Sequence, residues 1–177
     1  MGGLVVLFLA GLTWIEVLRL RLAERVRLIW PSCLILLGLY NLFFSDLVQW
    51  PLTFDRFTRL LSNPQVLQHK VLAVLVLGLG LVELSRRLGH LTHAVWNVLF
   101  AAIALLAGGL LFLHDSITGG HHLSHRLLVN HAMMGLLAVL TLMLKVLADQ
   151  RILVGRFAYL YPLGLMGLGS QLLLYPE

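Results

Sequence analysis

The chain has 177 residues, 59% of them hydrophobic and only 12% charged. Soluble domains carry about 25% charged residues, and a water-soluble fold of this size could not hide so much apolar surface, so one integral membrane domain over residues 1–177 is expected. The net charge of +5 comes from Lys and Arg set beside apolar runs, as membrane topology requires, which argues against nucleic acid as a partner.

Six apolar segments follow one another, at about 3–19, 29–47, 66–84, 94–113, 127–147 and 153–174. Each is long enough for a transmembrane helix, which needs roughly 20 residues at 1.5 Å rise. Backbone facing lipid must satisfy its own hydrogen bonds, so the expected fold class is all-α, a polytopic helical bundle. Most connections are short, so successive helices should pack antiparallel as neighbours.

The first segment has no basic residues before it; they follow it, from Arg19 onward. That opposes a cleavable signal peptide and favours an N-terminus outside. The second segment holds Cys33, the single cysteine. One cysteine forms no intrachain disulfide, and neither a c-type haem motif nor a thiolate zinc site is present. Between the second and third segments, Phe54, Phe57, Leu60 and Leu61 recur at helical spacing among Asp55, Arg56 and Arg59. This pattern predicts a short amphipathic helix on the membrane surface, over about 53–62, between Pro51 and Pro64.

Alternation of the segments sorts the charges. The ends after segments one, three and five carry nine of the thirteen Lys and Arg, including Arg86, Arg87, Lys145, Arg151 and Arg156. The opposite face carries Arg56, Arg59, Lys70 and Arg126. The positive-inside rule places the nine in the cytoplasm. Both termini and the 114–125 loop are then expected outside, in an arrangement that fits a bacterial inner membrane.

That topology gathers six of the eight histidines on the outer face. His69 lies near the start of the third segment, and His114, next to Asp115, ends the fourth. His121, His122 and His125 follow Gly119-Gly120, which gives the loop freedom to close over an ion. His131 lies one turn into the fifth segment. From the helical rise, His69 and His131 sit roughly 6–8 Å inside their helix starts. Imidazole is the commonest transition-metal ligand, and a carboxylate such as Asp115 can ligate or orient a histidine. Met134 shares a helix face with His131, and thioether with imidazole suits Cu(I). The structural alternatives are interhelical hydrogen bonding for His69 and His131, a solvated loop for the others and simple packing for Met134. His90 and His93 fall on the cytoplasmic side as headgroup-level residues. Glu16 can reach Arg19, and Glu83 can reach Arg86 or Arg87, as structural pairs at helical spacing.

No HExxH, Walker loop, GxSxG or GxGxxG occurs, so binding or transport is favoured over enzymatic activity. His121-His122-x-x-His125 does not supply the set of boxes that a membrane di-iron enzyme needs.

Across 66–140, Gln68-His69-Lys70, the Leu111-Phe112-Leu113-His114 helix end and His131-Ala132-Met133-Met134-Gly135 together resemble the CopD-type copper-resistance membrane proteins. The resemblance implies copper handling on the extracytoplasmic side. Three readings stand. The first is a metal site, with copper as the ion, formed by His69, His114 and His131 with Asp115 and Met134, and fed by His121, His122 and His125. It would serve uptake, delivery or resistance, with a periplasmic metal carrier as a partner. The second is electron transfer, with a b-type haem held axially by His69 and His131. The third is a non-catalytic subunit of a larger membrane complex.

Overall fold

The computed structural model describes residues 2–18, 27–44, 62–112 and 125–174. The expected surface helix at 53–62, apart from position 62, and His114, His121 and His122 lie outside the described residues. Among the described residues the chain is all-helical: α1 (Gly2–Val17), α2 (Ile29–Phe44), α3 (Pro64–Arg87), α4 (Val95–Phe112), α5 (His125–Asp149), a 3₁₀ turn (Gly155–Tyr159) and α6 (Leu160–Leu173).

Local chemistry sets the ends. Asn63 caps α3 by accepting the Val66 N–H at 3.3 Å, and Pro64 occupies the first helical position, where no N–H is missed. Gly89, at φ 79°, ends α3 in a Schellman motif: its N–H donates to the Arg86 carbonyl at 3.0 Å, and the His90 N–H to that of Ser85 at 2.9 Å. The end of α5 has the same hydrogen bonds, Arg151 to Ala148 and Ile152 to Leu147, both 3.0 Å. There the left-handed position, at φ 58°, is filled by Arg151, not glycine. The last segment, expected to be helical from 153, first makes the 3₁₀ turn at 155–159 and becomes α-helical at Leu160. Gly155, at φ 60°, breaks the regular backbone there, and Pro162 is tolerated because it falls in the first turn of α6.

The helices form a ring in chain order. Each packs against its sequence neighbours, and α6 closes against α1. Packing is antiparallel throughout, as the short connections predict, and glycines let the seams approach closely. A Cβ at Gly38 would meet the Leu77 backbone at 2.7 Å, and one at Gly80 would meet Ile35 N at 2.8 Å and Pro31 O at 3.0 Å. Gly3 and Gly169 do the same between α1 and α6, against Leu173 and Leu7. Small residues at such seams are the ordinary means of close helix approach in bundles without a hydrophobic driving force.

The ring has an apolar core, with Leu9, Leu12, Trp30, Leu79, Phe100 and Leu165 buried, and an apolar exterior as well. Large apolar side chains point outward from all six helices, among them Phe8, Leu36, Val74, Val98, Leu136 and Leu163. Thr13, Gln68, Lys70, Glu83, Thr141 and Lys145 are buried. Two stretches, Val66–Arg87 and Val129–Asp149, are long and apolar enough to cross a membrane; the apolar helices Gly3–Val17, Ile29–Phe44 and Val95–Leu110 are shorter.

The α2–α3 seam generates a prediction. Gly80→Val forces the two backbones apart and is expected to destabilise by about 1–3 kcal/mol. Gly11→Ala, in α1 where a Cβ meets nothing within 4 Å, should be neutral or stabilising. Thermal unfolding of both variants in detergent checks this; equal effects would mean that the seam is not tightly packed.

Candidate functional site

The ring has two chemically distinct ends. At the end where α3 and α5 begin, His69 and His131 are both half-buried. Each sits beside a residue tied to a neighbouring helix. Gln68 Nε2 donates to the Leu110 carbonyl in the last turns of α4, at 2.8 Å. The Asn130 carbonyl accepts Gln171 Nε2 from α6 at 3.1 Å. Lys70, 5% exposed, donates from Nζ to the Asn41 carbonyl near the end of α2 at 3.2 Å. That placement sets a cation against the negative end of the α2 dipole. Met134 is buried on the His131 helix.

The two histidine-bearing helices therefore both flank α4, and α4 runs toward His114. His114, Asp115, His121 and His122 lie outside the described residues; His125 opens α5, but its side chain lies outside them too. Among the described residues, no three His, Cys, Asp or Glu side chains form a group able to hold a metal ion. His90 and His93 are exposed at the other end of the ring, and His93 borders a cavity of about 470 Å³ with Glu83, Arg86 and Asp149.

That other end holds a feature that charge counting along the chain did not reveal. Glu83 of α3 is buried, and its carboxylate is shared by three cations. Arg86 Nη1 lies at 2.7 Å, Arg87 Nε at 2.8 Å and Lys145 Nζ of α5 at 3.1 Å. The expected pairs of Glu83 with Arg86 and Arg87 are present. The expected Glu16–Arg19 pair lies outside the described residues; among them, Glu16 of α1 takes Arg87 as a two-pronged partner, at 2.5 and 3.1 Å. Asp149 completes the set, 2.7 Å from Lys145 and 3.2 Å from Arg86. Arg87 also donates to the Arg27 carbonyl ahead of α2, and Arg27 Nη2 returns a hydrogen bond to the Arg87 carbonyl at 2.6 Å.

Aromatic faces surround the central cation. Lys145 Nζ lies 4.9 Å from the ring centroid of Phe100 in α4, 5.3 Å from that of Trp30 in α2 and 6.0 Å from that of Tyr161 in α6. Ring quadrupoles attract a cation at such distances. Three carboxylates and three cations thus balance one another, and all six helices contribute a side chain. In the sequence Lys145 counts as a topology charge at the end of the fifth apolar segment. The available signal was its i,i+4 spacing, Thr141, Lys145, Asp149, which aligns all three on one face of α5.

No known protein family, characterised protein or solved structure matches this chain.

Removing one member of a buried ion set strands its partners in a low dielectric, at a cost of about 3–5 kcal/mol. Lys145→Met is expected to destabilise on that scale, and Lys145→Met with Glu83→Gln by less than the sum of the two single changes. Unfolding of the four proteins in one detergent measures the coupling; strict additivity would show that the contact carries no interaction energy.

Proposed function

We propose that the protein is a six-span membrane protein that binds a transition metal, copper foremost, at the histidine end and handles it on the extracytoplasmic side. The observation that carries this reading is the position of His69 and His131. They lie at one end of the ring, on two helices that flank α4, whose chain continues to His114. The other loop histidines and Asp115 follow within that same connection.

Several physical points support the reading. The outward-facing apolar side chains on every helix suit lipid as solvent. Helices of 16 residues, such as α1 and α2, span only about 24 Å, which a locally thinned bilayer accommodates. The charge bias puts the ion cluster in the cytoplasm and the histidines outside. The donor chemistry favours a soft or borderline metal: imidazoles dominate, Met134 is buried one turn from His131, and carboxylate is scarce. Gln68 and Asn130 fix the backbone beside His69 and His131, which limits reorganisation when a ligand is taken up. The loop histidines serve as an entry set for the ion, and the two helix-borne histidines as its anchor.

Metal analysis and an absorption spectrum of the purified full chain test this directly. A stoichiometric copper content without a Soret band is the expected result. A Soret band lost in both His69→Ala and His131→Ala would replace the metal site with a bis-histidine haem. His131→Ala should cost more metal than His122→Ala, because adjacent loop histidines substitute for one another and a helix-borne ligand does not. Acidification should release the metal, since protons compete for imidazole.

A further inference from the structure

A cavity of about 840 Å³ opens at the charged end of the ring, between the ends of α1 and α5 and the turn that leads into α6. Four cations line it, Arg87, Lys145, Arg151 and Arg156, against two carboxylates, Glu16 and Asp149. The carboxylates are already engaged: Glu16 by Arg87, and Asp149 by Lys145 and Arg86. Arg151 and Arg156 meet no carboxylate among the described residues; the one partner of Arg156 is the face of Phe157, 5.3 Å away. The lining of the cavity therefore carries an excess of two positive charges.

One further observation points to a ligand. Arg151 occupies the left-handed position of a helix-ending motif where glycine carries no steric penalty. A strained residue held against the easier choice is grounds for a functional hypothesis. The wall itself is braced: Trp14 stacks on Tyr159 at 5.2 Å, and its Nε1 reaches Met166 Sδ at 3.2 Å.

We infer that this cavity binds an anionic phosphate group through Arg151 and Arg156. Guanidinium suits phosphate because its planar fork donates two parallel hydrogen bonds. The phosphate comes from an anionic lipid headgroup or from solution, and the chemistry is common to both. This site is independent of the histidine end, and it survives if no metal binds there. Its lipid source alone rests on the membrane reading.

The test uses the purified full chain in detergent, with phosphatidylglycerol, phosphatidylcholine and inorganic phosphate as separate probes. Native mass spectrometry reads retained lipid, and equilibrium dialysis reads phosphate. One phosphatidylglycerol per chain is expected to be retained in preference to phosphatidylcholine. Arg151→Gly and Arg156→Gln should each weaken retention about tenfold, the loss typical of one charge-assisted hydrogen bond. Arg151→Gly should do so with an unchanged or raised Tm, because glycine relieves the backbone, so a folding defect cannot mimic the result. If inorganic phosphate binds and displaces the lipid, the soluble source is the ligand; if it does not, the headgroup is. Binding of neither anion overturns the inference. Equal retention of phosphatidylcholine, or unaltered binding in both variants, overturns it as well.

Discussion

The ring depends on one buried electrostatic constraint, the sharing of Glu83 among Arg86, Arg87 and Lys145. Ions removed from water are costly unless paired and hydrogen-bonded, and here each is both. The arrangement is also directional. Glu16 reaches in from α1, Glu83 and the two arginines from α3, Lys145 and Asp149 from α5, and aromatic rings from α2, α4 and α6. Sliding α1, α3 or α5 by a turn would strand a charge. The cluster therefore fixes helix register, which a packing of Leu against Leu does weakly.

The seams do the complementary work. Gly38 and Gly80 bring α2 and α3 to backbone contact, Gly3 and Gly169 do so for α1 and α6, and Gly164 sits against Thr141 between α5 and α6. Close approach shortens the distance that Lys145 must bridge to Glu83. Many of the long apolar side chains lie on the exterior, while Leu9, Leu12, Leu79, Phe100 and Leu165 fill an apolar core. Tight small-residue seams, a buried ion cluster and an apolar outer surface are three aspects of one packing solution. Both the histidine end and the charged end are positioned by it.

Much of this was legible in the sequence. The Leu-rich runs located all six helices, because an apolar run bounded by Asn63-Pro64 or by Gly89 has one economical structure. The antiparallel order followed from short connections. Less was legible at the charged end. Lys145, Arg86 and Arg87 were counted as topology signals, and a count along the chain does not tell which cation turns inward. Arg151 was hidden for a similar reason: its importance lies in a backbone angle that no residue-type pattern reports. His69 and His131 lie at one end of the ring and His90 and His93 at the other, a separation that the alternation of the segments already implied. The distance between His69 and His131 depends on how α3 and α5 sit around α4, which spacing within either helix does not encode.

The closure of the ring by α6 against α1 has a consequence for biogenesis. Gly3 and Leu173 meet in that seam, yet about 170 residues of synthesis separate them. At ribosomal speeds of about 5–20 residues per second, α1 waits on the order of ten seconds or more for its partner. From about the midpoint of that interval, once Arg87 has been made, it can hold Glu16, so a partial ring stands with one side unsealed. Whatever occupies that side in the meantime must yield laterally when α6 arrives. The nascent protein thus spends its longest waiting period as an open cleft whose polar lining faces an unfinished wall.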